Sequence, residues 1–209
     1  MAIVYAAQLR PSKSELLMQW LPSQPWFSGD PAGLVLLGAF RFDDPAGEVG
    51  VETHLLARGE RTYQAPLTYR GAPLAGAEEF LITTMEHSVL GTRWIYDALA
   101  DPVYVSELGA ALLTGKPQAV ETRSVDGRME MLAETAHLRS TGTSGAGLPQ
   151  FSAGVPTTTD TVTRIPAGSL NFAVPRELDI NGALPQEAAL TVTWDGQTTP
   201  VVIASALTA

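Results

Sequence analysis

The sequence predicts an α+β fold, built mainly of antiparallel strands with two helices. Three observations carry that reading. Runs at Leu34–Asp43, Val49–Leu55 and Thr62–Tyr69 are strand-like and joined by short turns, which gives an antiparallel meander. Two other segments open with helix caps and close on helix stops. The last part of the chain returns to short apolar runs separated by Gly-containing turns.

The elements follow in order. Ser12-Lys13-Ser14-Glu15 has capping-box spacing, and Leu16, Leu17, Trp20 and Leu21 then recur at helical spacing, so a short helix is predicted over 13–21, ended by Pro22. Pro25 and Gly29 punctuate the next loop. After the meander, with its Asp43-Asp44-Pro45-Ala46-Gly47 turn, residues 70–76 read as a loop and Phe80–Met85 as a fourth strand. Arg93–Leu99 fits either helix or strand. Asp101-Pro102 starts a helix with Val105, Leu108 and Leu112 on one face and Gly115 as its stop. Ala119–Ser124 and Met129–His137 flank Asp126-Gly127 as a hairpin. Residues 139–156, holding Ser140-Thr141-Gly142-Thr143-Ser144-Gly145, read as a Gly/Ser-rich linker. Thr159–Ile165, Leu170–Val174, Leu190–Trp194 and Pro200–Ala204 are predicted strands. The domain reading is therefore 1–138, a linker at 139–156, and a β-rich part at 157–209. No internal repeat is visible.

Composition narrows the function classes. The 209 residues are 45% hydrophobic and 17% charged, which suits a packed globular protein. The net charge of −9 repels phosphate backbones and anionic lipid, so neither nucleic acid nor membrane is an expected partner. The absence of cysteine excludes disulfides and thiolate chemistry and fits a cytoplasmic location. The N-terminal residues lack the pattern of a secretory signal, and no apolar run reaches the length of a membrane span.

Three of the four tryptophans fall in aromatic-rich segments at 20–30, 63–74 and 87–104. The first holds Trp20, Leu21, Gln24, Trp26, Phe27 and Gly29; Tyr63-Gln64 follows, then Tyr96, Asp97, Asp101 and Val105. This order resembles the N-terminal cap domain of maltokinases and related sugar kinases, over about residues 1–115. The resemblance implies a curved antiparallel sheet with two main helices, cap-like over 1–138. It also implies that 157–209, with Thr157-Thr158-Thr159-Asp160-Thr161, is a small antiparallel segment resembling part of a kinase N-lobe and packed on the cap.

The kinase machinery itself is missing from the sequence. No lysine occurs in 117–209, and no His-Gly-Asp or His-Arg-Asp loop is present. The expectation is a non-catalytic protein without cofactor or metal. What the resemblance implies is an accessory or interaction partner in bacterial sugar or α-glucan metabolism (maltose, trehalose, glycogen), in an actinobacterial setting. Its expected partner is a sugar kinase, a glucan-metabolising enzyme or a second copy of itself. The alternative is a binding protein for a sugar or apolar metabolite that uses the concave sheet.

Residue chemistry gives few sharp candidates. The ligand or partner contacts expected are Trp26 and Phe27 in the Pro/Gly loop, Tyr69 and Arg70 at a strand end, and the Glu86–His87 pair. Trp26 is expected to be exposed, Trp20 and Trp94 to sit in the core. His54, between Thr53 and Leu55 in a strand, reads as a surface or half-buried residue, and Asp43/Asp44 as a turn signature. Gly142, Gly145 and Gly147 lack the Lys-Ser/Thr of a phosphate loop. An enzyme using Glu86 and His87 as acid and base is the third reading.

Overall fold

The computed structural model describes residues 2–3, 5–125, 128–142, 151–184 and 188–208. Two short strands, β1 (Ala2–Ile3) and β2 (Leu9–Arg10), precede helix α1 (Lys13–Trp20). The cap of α1 is the one the sequence predicts: Ser12 Oγ accepts the Glu15 amide while Glu15 Oε2 accepts the Ser12 amide at 2.8 Å. A 3-10 turn at Leu21–Ser23 carries Pro22 and ends it.

The meander is β3 (Val35–Asp43), β4 (Gly50–Arg58) and β5 (Arg61–Arg70), followed by β6 (Leu81–His87) and β7 (Gly91–Asp97). The ambiguous 93–99 segment is thus a strand that runs into a 3-10 turn at Ala98–Ala100. These strands form one antiparallel sheet in the order β2-β6-β7-β5-β4-β3, and β14 (Glu177–Leu178) pairs on β5. Register shifts at Leu36/Gly38 and Leu81/Thr83 bend the outer strands. The sheet curls into a half-barrel, and the overall class is α+β.

Helix α2 (Pro102–Thr114) starts on Asp101, whose side chain accepts the Val103 amide at 2.9 Å, and stops on Gly115 at φ 70°. Next come β8 (Glu121–Val125), β9 (Arg128–Met131) and β10 (Ala136–Ser140). β8 and β9 pair as predicted, and their expected turn, Asp126-Gly127, lies outside the described residues. The predicted partner strand, Met129–His137, is two strands. β9 stays with β8 and β1, whereas β10 crosses to a second sheet. Gly38 permits that crossing, because a Cβ there would stand 2.5 Å from the Thr135 carbonyl.

The second sheet is antiparallel, in the order β10-β15-β16-β13-β12-β11. Its other strands are β11 (Thr157–Thr159), β12 (Val162–Ala167), β13 (Leu170–Pro175), β15 (Ala189–Trp194) and β16 (Gln197–Thr208). The boundary drawn at 138 therefore runs through β10. Residues 143–150 of the expected linker lie outside the described residues. Its first residues are held in place: Ser140 Oγ donates to the Leu112 carbonyl at 2.8 Å, and the Thr141 amide to Ala189.

Two cores result. One lies between the back of the half-barrel, α2 and the second sheet; Phe40, Val51 and Leu55 meet Leu108, Phe172 and Val192 there. The other fills the concave face, where Leu16, Leu17 and Leu21 pack on Leu56, Tyr63 and Ile95. Polar side chains bolt the sheets together. Gln64 Nε2 donates to the carbonyls of Pro175 and Ile203 at 2.5 and 2.7 Å. Arg176, 2% exposed, donates to Asp97 and to Thr163 Oγ1. Among the described residues no helix is long and apolar enough to cross a membrane.

Arg176→Met strands the buried Asp97 carboxylate and is expected to cost about 3–5 kcal/mol in urea unfolding, as for other broken buried pairs. Adding Asp97→Asn, which keeps the cap on the Leu99 amide, is expected to recover part of the loss. A single variant as stable as the parent contradicts this bolt.

Candidate functional site

Helix α1 covers only one end of the concave face. Past its first residue, Lys13, the trough opens into a cavity of about 820 Å³. Strand periodicity sorts the residues of β4: Val51 and Leu55 enter the inter-sheet core, while Glu52 and His54 turn toward the trough. There they meet a buried polar cluster. Lys13 Nζ donates to Glu52 Oε2 at 2.5 Å. That oxygen lies 3.6 Å from His54 Nε2, which is 3.3 Å from the Tyr69 hydroxyl. Lys13 also stands 5.5 Å from the centre of the Tyr69 ring. Arg41, the neighbour of Glu52 across the β3–β4 ladder, completes the group.

The electrostatics follow from burial and neighbours. Burial alone pushes the Glu52 carboxyl up, but the charges of His54, Lys13 and Arg41 outweigh it and hold the group at about 2. His54 moves down, because its burial and the cations Lys13 and Arg41 outweigh the pull of Glu52. Tyr69 moves well up, through burial and the Glu52 carboxylate. At neutral pH the floor is thus a Lys–Glu ion pair beside a neutral imidazole and a protonated phenol.

The expected contact residues divide. Tyr69, Arg70 and His87 line the cavity. Arg70 is committed to Asp101 by two bonds of 2.7 and 2.8 Å, which tie β5 to the start of α2. His87 and Glu86 point to opposite faces of β6, so they form no acid–base pair; the exposed Glu86 accepts the Thr92 hydroxyl at 2.8 Å.

Trp26 requires a correction: it is 4% exposed. Its ring packs edge-on to Trp20 and against Tyr63, and the Arg176 guanidinium sits 5.2 Å above it. The covering residue comes from the far end of the chain, which local sequence does not reveal. Phe27 is half-buried on Tyr63 at 5.0 Å. Trp20 and Trp94 are half-buried rather than core. Sequence reasoning missed Glu52, His54, Lys13 and Arg41. The signal was the alternation Gly50-x-Glu52-x-His54 against Val51-x-Thr53-x-Leu55 on one strand.

Residues 20–101 match the family model of the maltokinase N-terminal cap domain. That segment is similar to this cap domain. The match spans β3 to β7 and ends at the Asp101 that caps α2. All the cluster residues except Lys13 lie inside it, so the matched segment supplies most of the cluster and the residues before it supply the helix that seals one end. No curated protein matches the chain.

The cluster predicts a pH profile. Glu52 stays ionised in the fold down to about 2, against 4.5 in the unfolded chain, so its contribution is complete above about pH 4.5 and lost as pH falls toward 2. His54 is held neutral in the fold while the unfolded chain protonates near 6.5, so stability starts to drop below that pH. The more exposed His87, shifted the same way, adds a smaller step. His54→Asn is expected to remove most of the loss between pH 6.5 and 5 and leave the more acid limb. An unchanged slope in urea titrations across that window assigns the step elsewhere.

Trp26→Ala is expected to cost about 3–5 kcal/mol, as buried aromatic deletions do. A variant that melts within a degree or two of the parent contradicts its burial.

Proposed function

We propose that this chain is a non-catalytic cap-domain protein that binds a small metabolite of the sugar class in the trough of its half-barrel, in an accessory role in bacterial sugar or α-glucan metabolism. The observation that carries this is the cavity of about 820 Å³ with its prearranged polar floor. It falls in the size range of small-molecule sites, which combine a mostly apolar lining with a few fixed polar groups. Tyr5, Leu9 and Met85 supply apolar wall, and Glu52 with Tyr69 supplies an acceptor and a hydroxyl held by neighbours.

The protonation states favour binding over proton transfer. A general acid or base works best with a pKa near the operating pH. Glu52 lies far below it and Tyr69 far above. The pathway assignment comes to this chain from the cap family alone.

A docking role has separate support. β3 is the outer strand of its sheet; its edge is bonded by Thr135 and Ala119 at Ala39 and Arg41, and its first residues Val35 and Leu36 are exposed, at 57% and 59%. A second copy, a sugar kinase or a glucan enzyme would meet the protein there.

The test is titration calorimetry of the full chain with glucose, maltose and trehalose and with phosphorylated sugars, on parent and Tyr69→Phe/Glu52→Gln protein. Binding that the double variant abolishes while keeping its fold supports the trough. Absence of all binding, together with a strict Leu36-dependent dimer or complex in light scattering, transfers the function to the β3 edge. With ATP, magnesium and maltose, no sugar-dependent ADP release is expected; robust release overturns the non-catalytic reading.

A further inference from the structure

The walls of the trough hold two guanidinium groups that the fold does not spend in ion pairs. Most charged groups there are committed. Glu52 is paired with Lys13, and Arg70 with Asp101. The Asp44 carboxylate takes three backbone amides, of Ala46, Glu48 and Val49. Two arginines stand apart, since no ion pair joins Arg41 or Arg93 to another described residue. Arg93 Nη2 donates to the Leu90 carbonyl, but its Nε is buried without a partner. Buried donors in folded proteins are rarely left so.

Both guanidiniums are laid over glycines. A Cβ on Gly50 would stand 3.3 Å from Arg41 Nη2, and one on Gly71 3.0 Å from Arg93 Nη1. Gly50 pairs with Tyr69 across the ladder, and Gly71 lies two residues past Tyr69. Strand spacings put the two glycines about 8 Å apart, so the arginines flank Tyr69 from both sides. His87 adds a donor nearby. Its Nδ1 accepts the Val89 and Leu90 amides at 3.2 and 3.1 Å, which places the ring proton of the neutral form on Nε2.

Like charges at that spacing repel, and Arg41 and Arg93 leave cationic donors unused on this wall, while the other carboxylates of the lining are the exposed Glu48 and a partnered Asp43, in a protein whose net charge is −9. Resting on the trough as the binding site, we propose that its ligand is a small metabolite bearing a phosphate or carboxylate, with the anionic group held between Arg41 and Arg93 beside the Tyr69 ring.

The experiment is calorimetry of the full chain with glucose 1-phosphate, glucuronate, inorganic phosphate and glucose at two salt concentrations. Arg41→Gln and Arg93→Gln proteins are run alongside, checked for an unchanged melting profile. At least one charged sugar is expected to bind about tenfold or more tightly than glucose, the worth of a charge-assisted hydrogen bond, and to weaken with salt. Each Arg→Gln variant is expected to lose about that factor, and Arg93→Lys to recover part of it. Preference for glucose 1-phosphate or for glucuronate identifies phosphate or carboxylate as the anion. Equal binding of glucose and the charged sugars overturns the anion site while leaving the trough as a sugar site. Charged-sugar binding that both Arg→Gln variants retain also overturns it. Failure of every probe overturns the anion site and the trough together.

Discussion

An eight-residue helix faces a trough made of nine- and ten-residue strands, and this mismatch of lengths shapes the molecule. At 1.5 Å per residue α1 is about 12 Å long, while β5 at 3.3 Å per residue runs about 33 Å. The helix can plug one end of the concave face with Leu16, Leu17 and Leu21 but cannot reach the other. What remains is a half-filled barrel. Its apolar end is closed by packing, and its open end begins at the first residue of the helix, where Lys13 meets Glu52. The position of the polar cluster is thus set by where the helix stops covering the sheet.

The back of the same sheet imposes a second requirement. With both faces of β5 buried along Thr62–Thr68, the convex side needs a cover as extensive as the sheet itself. Helix α2 and the second sheet provide it through one continuous apolar core. The joint is also polar. Gln64 reaches through to carbonyls of the second sheet, and Arg176 reaches back to Asp97 and over Trp26. Each is a group whose burial is costly unless its partners are in place, so each favours one relative placement of the sheets. The segment that matches the cap domain is therefore not freestanding here. Trp26, inside the matched segment, is covered by a residue from outside it.

This explains which features were legible in the sequence. The capping box at Ser12, the Asp101-Pro102 start, the Gly115 stop and the meander turns are set by residues within a few positions of each other. Local rules suffice for them. The fate of Trp26 depends on Arg176, and that of His54 on a helix some forty residues earlier through Lys13 and Glu52. A Pro/Gly loop reads as exposed when nothing local shows what will lie over it. The long Met129–His137 run was misread for a related reason. Alternation signals a strand, but not the point at which the chain leaves one sheet for another.

The same geometry bears on how an acidic protein could select an anion. With a net charge of −9, the surface field disfavours anions at a distance, and salt screens that field within about a nanometre. Inside the trough, local pairing decides more than net charge. There the carboxylates of Glu52 and Asp44 are satisfied by partners at hydrogen-bond distance, whereas among the described residues no carboxylate pairs with Arg41 or Arg93. Glycine at 50 and 71 is what lets two long cationic side chains lie flat against the sheet instead of projecting to water. The charge a ligand would meet is then set by which side chains are left without partners, and the sign of the protein as a whole says little about it. A site of that kind would exchange attraction at long range for discrimination at contact.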